Sequence, residues 1–307
     1  MGFKNLKAKL KDSTSSLDKI KSRIEKETST TDYNDERYWK FTVDSSGNGM
    51  AVIRFLPEPE GEEFPYVSYY NHSFQGPTGK WYINRSRTSL GKGVPDPVSE
   101  SNSELWETGL EENKNLARKR KRNLRYISNI YVIKDAKNPE NEGKVMLWEY
   151  GPSIYKVIAD VIAPPEEFEE EPINPFDLWN GADFKLKAYL DSKSGYRSYD
   201  KSSFTDPVPL LDGDDEKLEK VYDSMHSLAA EVAEDKYKSY DELKKWFDVV
   251  TGKTKLAAPG SNDSGEDDDV EVPSTRSAID DDEDDTLVTT TTSSDDDDDD
   301  YLNFLED

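Results

Sequence analysis

The 307-residue sequence has no cysteine and only two histidines, His72 and His226. Without thiols a disulfide framework, a thiolate zinc site and a cysteine nucleophile are excluded, and neither histidine has the partners of a tetrahedral zinc site. No window approaches the roughly 18 consecutive apolar residues of a membrane span, and the N-terminus lacks the apolar run and small-residue cleavage site of a signal peptide. A soluble, non-secreted chain is expected. Catalytic patterns are also missing. Gly76-Pro-Thr-Gly-Lys80 lacks phosphate-wrapping spacing and reads as a turn, and no local pattern argues for a Ser-His-Asp set. The acids from Asp212 to Glu216 fall where a helix starts, a place where carboxylates suit the helix dipole better than they suit metal-dependent chemistry. No enzyme is expected.

Hydrophobic residues are also scarce, at 34%, matched by 34% charged residues and a net charge of -25. So acidic and apolar-poor a chain does not fold throughout. The charge is uneven: residues 256–307 carry 20 Asp or Glu against Arg276 alone, whereas residues 1–26 carry eight Lys or Arg against three acids. Three parts follow: a basic arm (1–26), a globular middle (27–255) and a disordered acidic tail (256–307). In the arm, Leu17, Ile20 and Ile24 recur at helical spacing, but so short a helix is marginal alone and is expected to order against something else. In the tail, Tyr301, Leu302, Phe304 and Leu305 follow six consecutive Asp, which reads as a docking peptide rather than a purely solubilising end.

The middle reads as mostly β with accessory helices. Strand-like runs are Tyr38 to Val43, Met50 to Leu56, Tyr66 to Phe74, Lys80 to Arg85, Leu124 to Asp135, Gly143 to Tyr150 and Ala182 to Leu190, the first two joined by a Ser-Ser-Gly-Asn-Gly turn. Many short strands point to a barrel or sandwich. Alternation over the last run places Phe184, Leu186 and Leu190 on one face and Lys185, Lys187 and Tyr189 on the other, where phosphate and base contacts have room. A helix starts at Pro152 and is stopped by Pro164 and Pro165; another carries Leu218 through Val232; a third begins at the capping box Ser239 to Glu242.

Two features oppose the background. Arg118-Lys-Arg-Lys-Arg122 with Arg125 sets six positive charges within eight residues of an acidic protein. On a loop entering the strand at Leu124, it would neutralise phosphates and release counterions, giving affinity that falls steeply with salt. A solvated loop balanced by nearby acids is the plainer alternative. Aromatics in mixed polar surroundings (Tyr69, Tyr70, Trp81, Tyr82, Tyr126, Trp148, Tyr150, Tyr196, Tyr199) interleaved with Lys and Arg are what a protein needs to stack unpaired bases.

Several segments, in order, carry a resemblance: Gly47-Asn-Gly-Met-Ala-Val-Ile-Arg-Phe-Leu-Pro57, Asn71-His-Ser-Phe74 with Gly79-Lys-Trp-Tyr-Ile83, Asn138-Pro-Glu-Asn-Glu-Gly-Lys-Val145 and Gly195-Tyr-Arg-Ser-Tyr-Asp200. Across most of residues 35–250 the chain resembles the single-stranded-DNA-binding (helix-destabilising) proteins of T-even-like tailed bacteriophages. The resemblance implies an OB-fold barrel with a loop subdomain (72–110), its basic, aromatic-lined cleft holding single-stranded DNA with little regard to sequence. Carried over by motif, Tyr126, Trp148, Tyr196 and Tyr199 line the cleft, Arg54 and Arg118, Lys119, Arg120, Lys121 and Arg122 meet phosphates, and Trp81 and Tyr82 match the Lys-Trp-Tyr segment. The best-known members hold zinc through one histidine and three cysteines. Here His72 stands with Ser86, Asp96 and Ser99, so no cofactor is expected, and residues 72–110 are expected either to be ordered by packing through Trp81, Leu105, Trp106 and Leu110 or to be partly mobile.

The resemblance also implies that the arm binds the neighbouring copy on the strand, with Lys9, Lys11, Ser13 and Thr14 as a loose match to the family's basic-Ser-Thr motif, interrupted by Asp12. It implies that the tail covers the cleft and recruits phage replication and recombination proteins (polymerase, helicase loader, recombination mediator) in the cytoplasm of the infected bacterial host, serving replication, recombination and repair. Two rivals remain. One is an acidic scaffold or DNA mimic that does not bind nucleic acid, against which the basic run argues. The other is a magnesium-dependent nuclease, which needs convergent acids in a cleft.

Overall fold

The computed structural model describes residues 35–165, 171–192 and 195–253. Lys9, Lys11, Ser13, Thr14, Tyr301, Leu302, Phe304 and Leu305, with the arm and tail that hold them, lie outside the described residues. Among the described residues there are eight strands: β1 (Gly49–Phe55), β2 (Tyr66–Gln75), β3 (Trp81–Arg85), β4 (Arg122–Asp135), β5 (Val145–Tyr150), β6 (Ala182–Leu190), β7 (Arg197–Ser198) and β8 (Ser203–Pro207). Five α-helices accompany them: α1 (Pro97–Glu107), α2 (Glu111–Lys119), α3 (Pro152–Ile162), α4 (Asp215–Asp223) and α5 (Tyr240–Thr251). The sheet runs in the order β3-β2-β4-β1-β6-β7, with β5 on β4 and β8 on β6, and its strand pairs are antiparallel. The protein is therefore mostly β with accessory helices.

The 14-residue β4 is the spine. Its first half pairs with β2 and its second half with β1, while β5 takes the other edge. A strand serving two partners end to end bends the sheet, and the register slip between Val52 and Ile53 tightens the curl into a half-barrel. Alternation decides what the curl encloses. Ile53, Phe55, Ile130, Val132, Phe184 and Leu186 meet Trp39, Trp148 and Tyr150 in the main core, while Lys185 and Lys187 stay exposed on the outer face.

A second cluster lies at the far end of β2. Phe74, Tyr82 and Val98 pack there against Leu243, Phe247 and Val250 of α5. The close approach depends on Gly76, where a Cβ would lie 2.2 Å from the Val250 carbonyl oxygen. Helix α5 starts at Ser239, whose hydroxyl accepts from the Glu242 N–H while Glu242 returns the bond, and ends at Gly252 in the left-handed region (φ 79°).

Several expectations need correcting. The 38–43 segment is not a strand. Trp39 is buried between exposed Glu36 and Lys40, yet Trp39 N–H bonds to the Leu147 carbonyl in a single isolated bridge rather than a ladder. The helix expected through Val232 ends at Asp223. Asn129 takes both backbone groups of His226 (2.8 and 2.9 Å) and pulls the chain out of helical geometry, while Leu228 still reaches the core. The 72–110 region contains helix α1, and α2 follows it directly. Trp81 and Leu110 do not pack it, being 37% and 62% exposed; Val98 and α5 supply that core.

Candidate nucleic-acid interface

The basic run is a helix end turning into a strand, not a loop. Arg118 and Lys119 close α2, Arg120 is its C-cap and Arg122 opens β4. Cations there complement the carbonyl end of the helix dipole. Arg118, Lys119 and Lys121 are exposed, and Arg118 bonds Glu111 (2.6 Å) and Asn115 (2.7 Å). Arg122 donates to Thr88 (2.9 Å) with its guanidinium 4.2 Å over the Tyr70 ring. Arg120 is buried: its guanidinium lies 5.5 Å from the rings of both Phe74 and Phe247, and burial lowers its pKa. Phe247 also receives the Lys253 ammonium at 5.8 Å.

Three residues further along β4, Arg125 lines a concavity with Phe41, Trp148, Glu149, Tyr150, Ile154 and Tyr199. Trp148 and Tyr199 meet Arg125 there, but at 6% and 7% exposed they belong to the main core rather than offering free faces. Tyr126 is buried likewise. Tyr155 of α3 stacks on it at 4.0 Å and 2°, Tyr150 lies nearly parallel at 5.7 Å, and only 8% of Tyr126 is exposed. It backs Tyr155 rather than offering a free face. Tyr66 joins this group through its hydroxyl, 3.0 Å from that of Tyr155. That hydrogen bond, then burial, pushes the Tyr66 phenol up to about 12, and burial with the charges of Tyr155 and Tyr70 does the same for Tyr126. Tyr196 is 45% exposed in the turn between β6 and β7.

Other assigned residues lie elsewhere. Arg54 is wholly buried, bonded to Asp183 (2.9 Å) and to the carbonyls of Asp177 (3.2 Å) and Val208 (2.6 Å), so no phosphate reaches it. Gly181 permits this clamp, since a Cβ there would lie 3.0 Å from Arg54 Nη1. Tyr82 is 1% exposed and stacks on Phe74 at 5.2 Å in the second core, where no base can reach it. Lys185 and Lys187 are exposed, but on the face of β6 opposite Phe184 and Trp148, outside the concavity. The sequence reading passed over Phe41, Tyr66 and Tyr155. The alternation of Trp39, Phe41 and Val43 would have flagged the first, but Tyr155 is masked by its apolar helix.

His72, Asp96 and Ser99 do converge, while the Ser86 hydroxyl pairs with Thr88, and the group does not form a zinc site. The Asp96 oxygens already accept from the N–H groups of Val98 (3.1 Å), Ser99 (3.0 Å) and Arg87 (3.0 Å). One imidazole, one engaged carboxylate and serine hydroxyls do not make a tetrahedral zinc set, and no group of three His, Cys, Asp or Glu side chains gathers among the described residues. Among those residues, too, no helix is long and apolar enough to cross a membrane.

The family described as gp32 DNA binding protein like matches residues 47–251. The chain is 35% identical over 239 residues to the single-stranded DNA-binding proteins of Enterobacteria phage T2 and Enterobacteria phage T4, covering 77% of this chain and 77% of each relative. That of Escherichia phage SV14 is 39% identical over 80 residues, 25% of this chain and 70% of the relative. With this span and identity, the chain belongs to the gp32-like family of DNA-binding proteins.

Proposed function

We propose that the protein binds single-stranded DNA with little sequence preference and coats transient single strands in the cytoplasm of a phage-infected bacterium. The observation that carries this reading is the basic run where α2 turns into β4, with Arg118, Lys119 and Lys121 exposed on an otherwise acidic chain of the gp32-like family. Cations take the phosphates, and the exposed ring of Tyr196 accepts an unpaired base. The bent antiparallel sheet is read as an OB-fold barrel, residues 72–110 as its loop subdomain and residues 27–255 as the binding core. The protein performs no chemistry of its own. It melts hairpins by mass action because it takes up the unpaired form.

Residues 1–26 (+5) link neighbouring copies along the strand, with Lys9, Lys11, Ser13 and Thr14 in the contact. Residues 256–307 (-19) compete with DNA for the cationic surface by electrostatics, and their Tyr301-Leu302 and Phe304-Leu305 end recruits replication, recombination and repair enzymes. No metal or organic cofactor takes part.

The test is a tryptophan-fluorescence titration of the full chain with oligo(dT) at two salt concentrations. Quenching that weakens at the higher salt is expected. No response at either salt would favour the acidic-scaffold reading, and cleavage of the oligonucleotide with magnesium would favour a nuclease.

A further inference from the structure

The joint between α2 and β4 is held from beneath by a buried polar cluster. The Arg120 carbonyl accepts two hydrogen bonds, from His72 Nδ1 (2.9 Å) and from Asn102 Nδ2 (3.0 Å). A carbonyl cannot donate, so Nδ1 carries its proton and the other ring nitrogen, Nε2, is turned to Asp96 Oδ1 at 3.3 Å. Asp96 in turn caps α1 through the Val98 and Ser99 N–H groups and holds the Arg87 N–H. His72 and Asp96 are each 1% exposed and Asn102 is 8% exposed, so none of them reaches a ligand. Three elements are thereby tied at one atom: β2 through His72, the start and middle of α1 through Asp96 and Asn102, and the end of α2 through Arg120.

The place of that atom in the chain gives the cluster its consequence. Arg118 and Lys119 precede Arg120, and Lys121 and Arg122 follow it, so its carbonyl is the pivot of the basic run. With both lone pairs satisfied and the Arg120 side chain laid over Phe74 and Phe247, the backbone has one direction available there. Arg118, Lys119 and Lys121 are then held outward while Arg122 folds back over Tyr70.

We infer that His72, Asp96 and Asn102 are positioning residues: a metal-free clasp on the Arg120 carbonyl that aims the basic run at the phosphates of one strand. The inference rests on the reading that this run meets DNA.

The test compares the full chain with Asn102→Leu and His72→Phe, each of which removes one donor from the Arg120 carbonyl. The readout is the slope of log affinity against log salt for oligo(dT), because each lost phosphate contact on a single strand lowers it by about 0.7. A fall of about 0.7 to 1.4, with folding intact by circular dichroism, is expected. A merely structural role would lower the melting temperature and leave the slope of the folded protein unchanged, and that result overturns the inference. If His72→Phe fails to fold, Asn102→Leu, which leaves the His72 and Asp96 pair in place, decides alone.

Exhaustive chelation of the parent is expected to change neither slope nor melting temperature; a fall in either refutes a metal-free clasp. Amide hydrogen exchange over residues 118–122 reads the clasp without DNA. Faster exchange in the variants supports it even if the parent ignores oligo(dT), an outcome that would sink the binding proposal alone, and unchanged exchange counts against the clasp.

Discussion

Replacing Arg54 with methionine separates a phosphate ligand from a core clamp. The guanidinium is wholly buried, donates from Nε to Asp183 at 2.9 Å, and places Nη2 2.6 Å from the Val208 carbonyl and Nη1 3.2 Å from that of Asp177. Methionine fills much of the volume but leaves the Asp183 carboxylate, 23% exposed, without its cation and two carbonyls without a donor. Breaking a buried pair by removing one partner costs about 3 to 5 kcal/mol. Partial hydration of Asp183 places the expected loss toward the lower end, about 3 kcal/mol. Urea unfolding followed by circular dichroism measures it, and an oligo(dT) salt titration on the folded variant supplies the second axis. The slope should match the parent, because Arg54 offers no phosphate contact. A destabilisation below about 1 kcal/mol, or a slope reduced by about 0.7 with stability intact, would refute the reasoning.

Other outcomes follow from the same geometry. Tyr196→Ala should weaken oligo(dT) binding by about 1 to 3 kcal/mol, the worth of one stacked base, with little change in melting temperature; unchanged affinity removes Tyr196 from the interface. Tyr82→Phe should leave affinity unchanged and stability equal or higher, since the buried Tyr82 hydroxyl has no hydrogen-bond partner among the described residues, and a clear loss of stability by urea titration would count against that. Alkali should act through the tyrosine group. The Tyr66 and Tyr126 phenols are each raised to about 12, so the stability they contribute is full below the unfolded value near 10 and is lost as pH climbs through 12. Absorbance at 295 nm should show late-ionising tyrosines, and Tyr155→Phe should bring Tyr66 back toward 10.

Legibility followed the reach of each physical signal. Strand β6 was readable over Ala182–Leu190 because its alternation is strictly local, and α5 because the Ser239 and Glu242 cap is written three residues apart. The break after Asp223 was not, since its cause is Asn129, 97 positions away. Helix α1 had a local signal that went unused: Asp96 followed by Pro97, a capping side chain and a first-turn proline. At the candidate site, the charge of residues 118–125 could be read, because charge density survives without coordinates, but the burial of Trp148 and Tyr199 in the core could not. Neither could which cations are sealed inside. Arg54 and Lys185 look alike in sequence, and only the partners Asp183, Asp177 and Val208 distinguish a buried arginine from an exposed lysine.

The ring of Phe247 lies between Arg120 and Lys253, the last described residue of the chain. Lys253, to which residues 254–307 are joined, therefore shares one ring with Arg120 at the α2 end. Any rivalry between that anionic segment and DNA is a unimolecular affair, with a local concentration set by chain length rather than by how much protein is present. Dilution would not relieve it, whereas raising the ionic strength would weaken both contenders together.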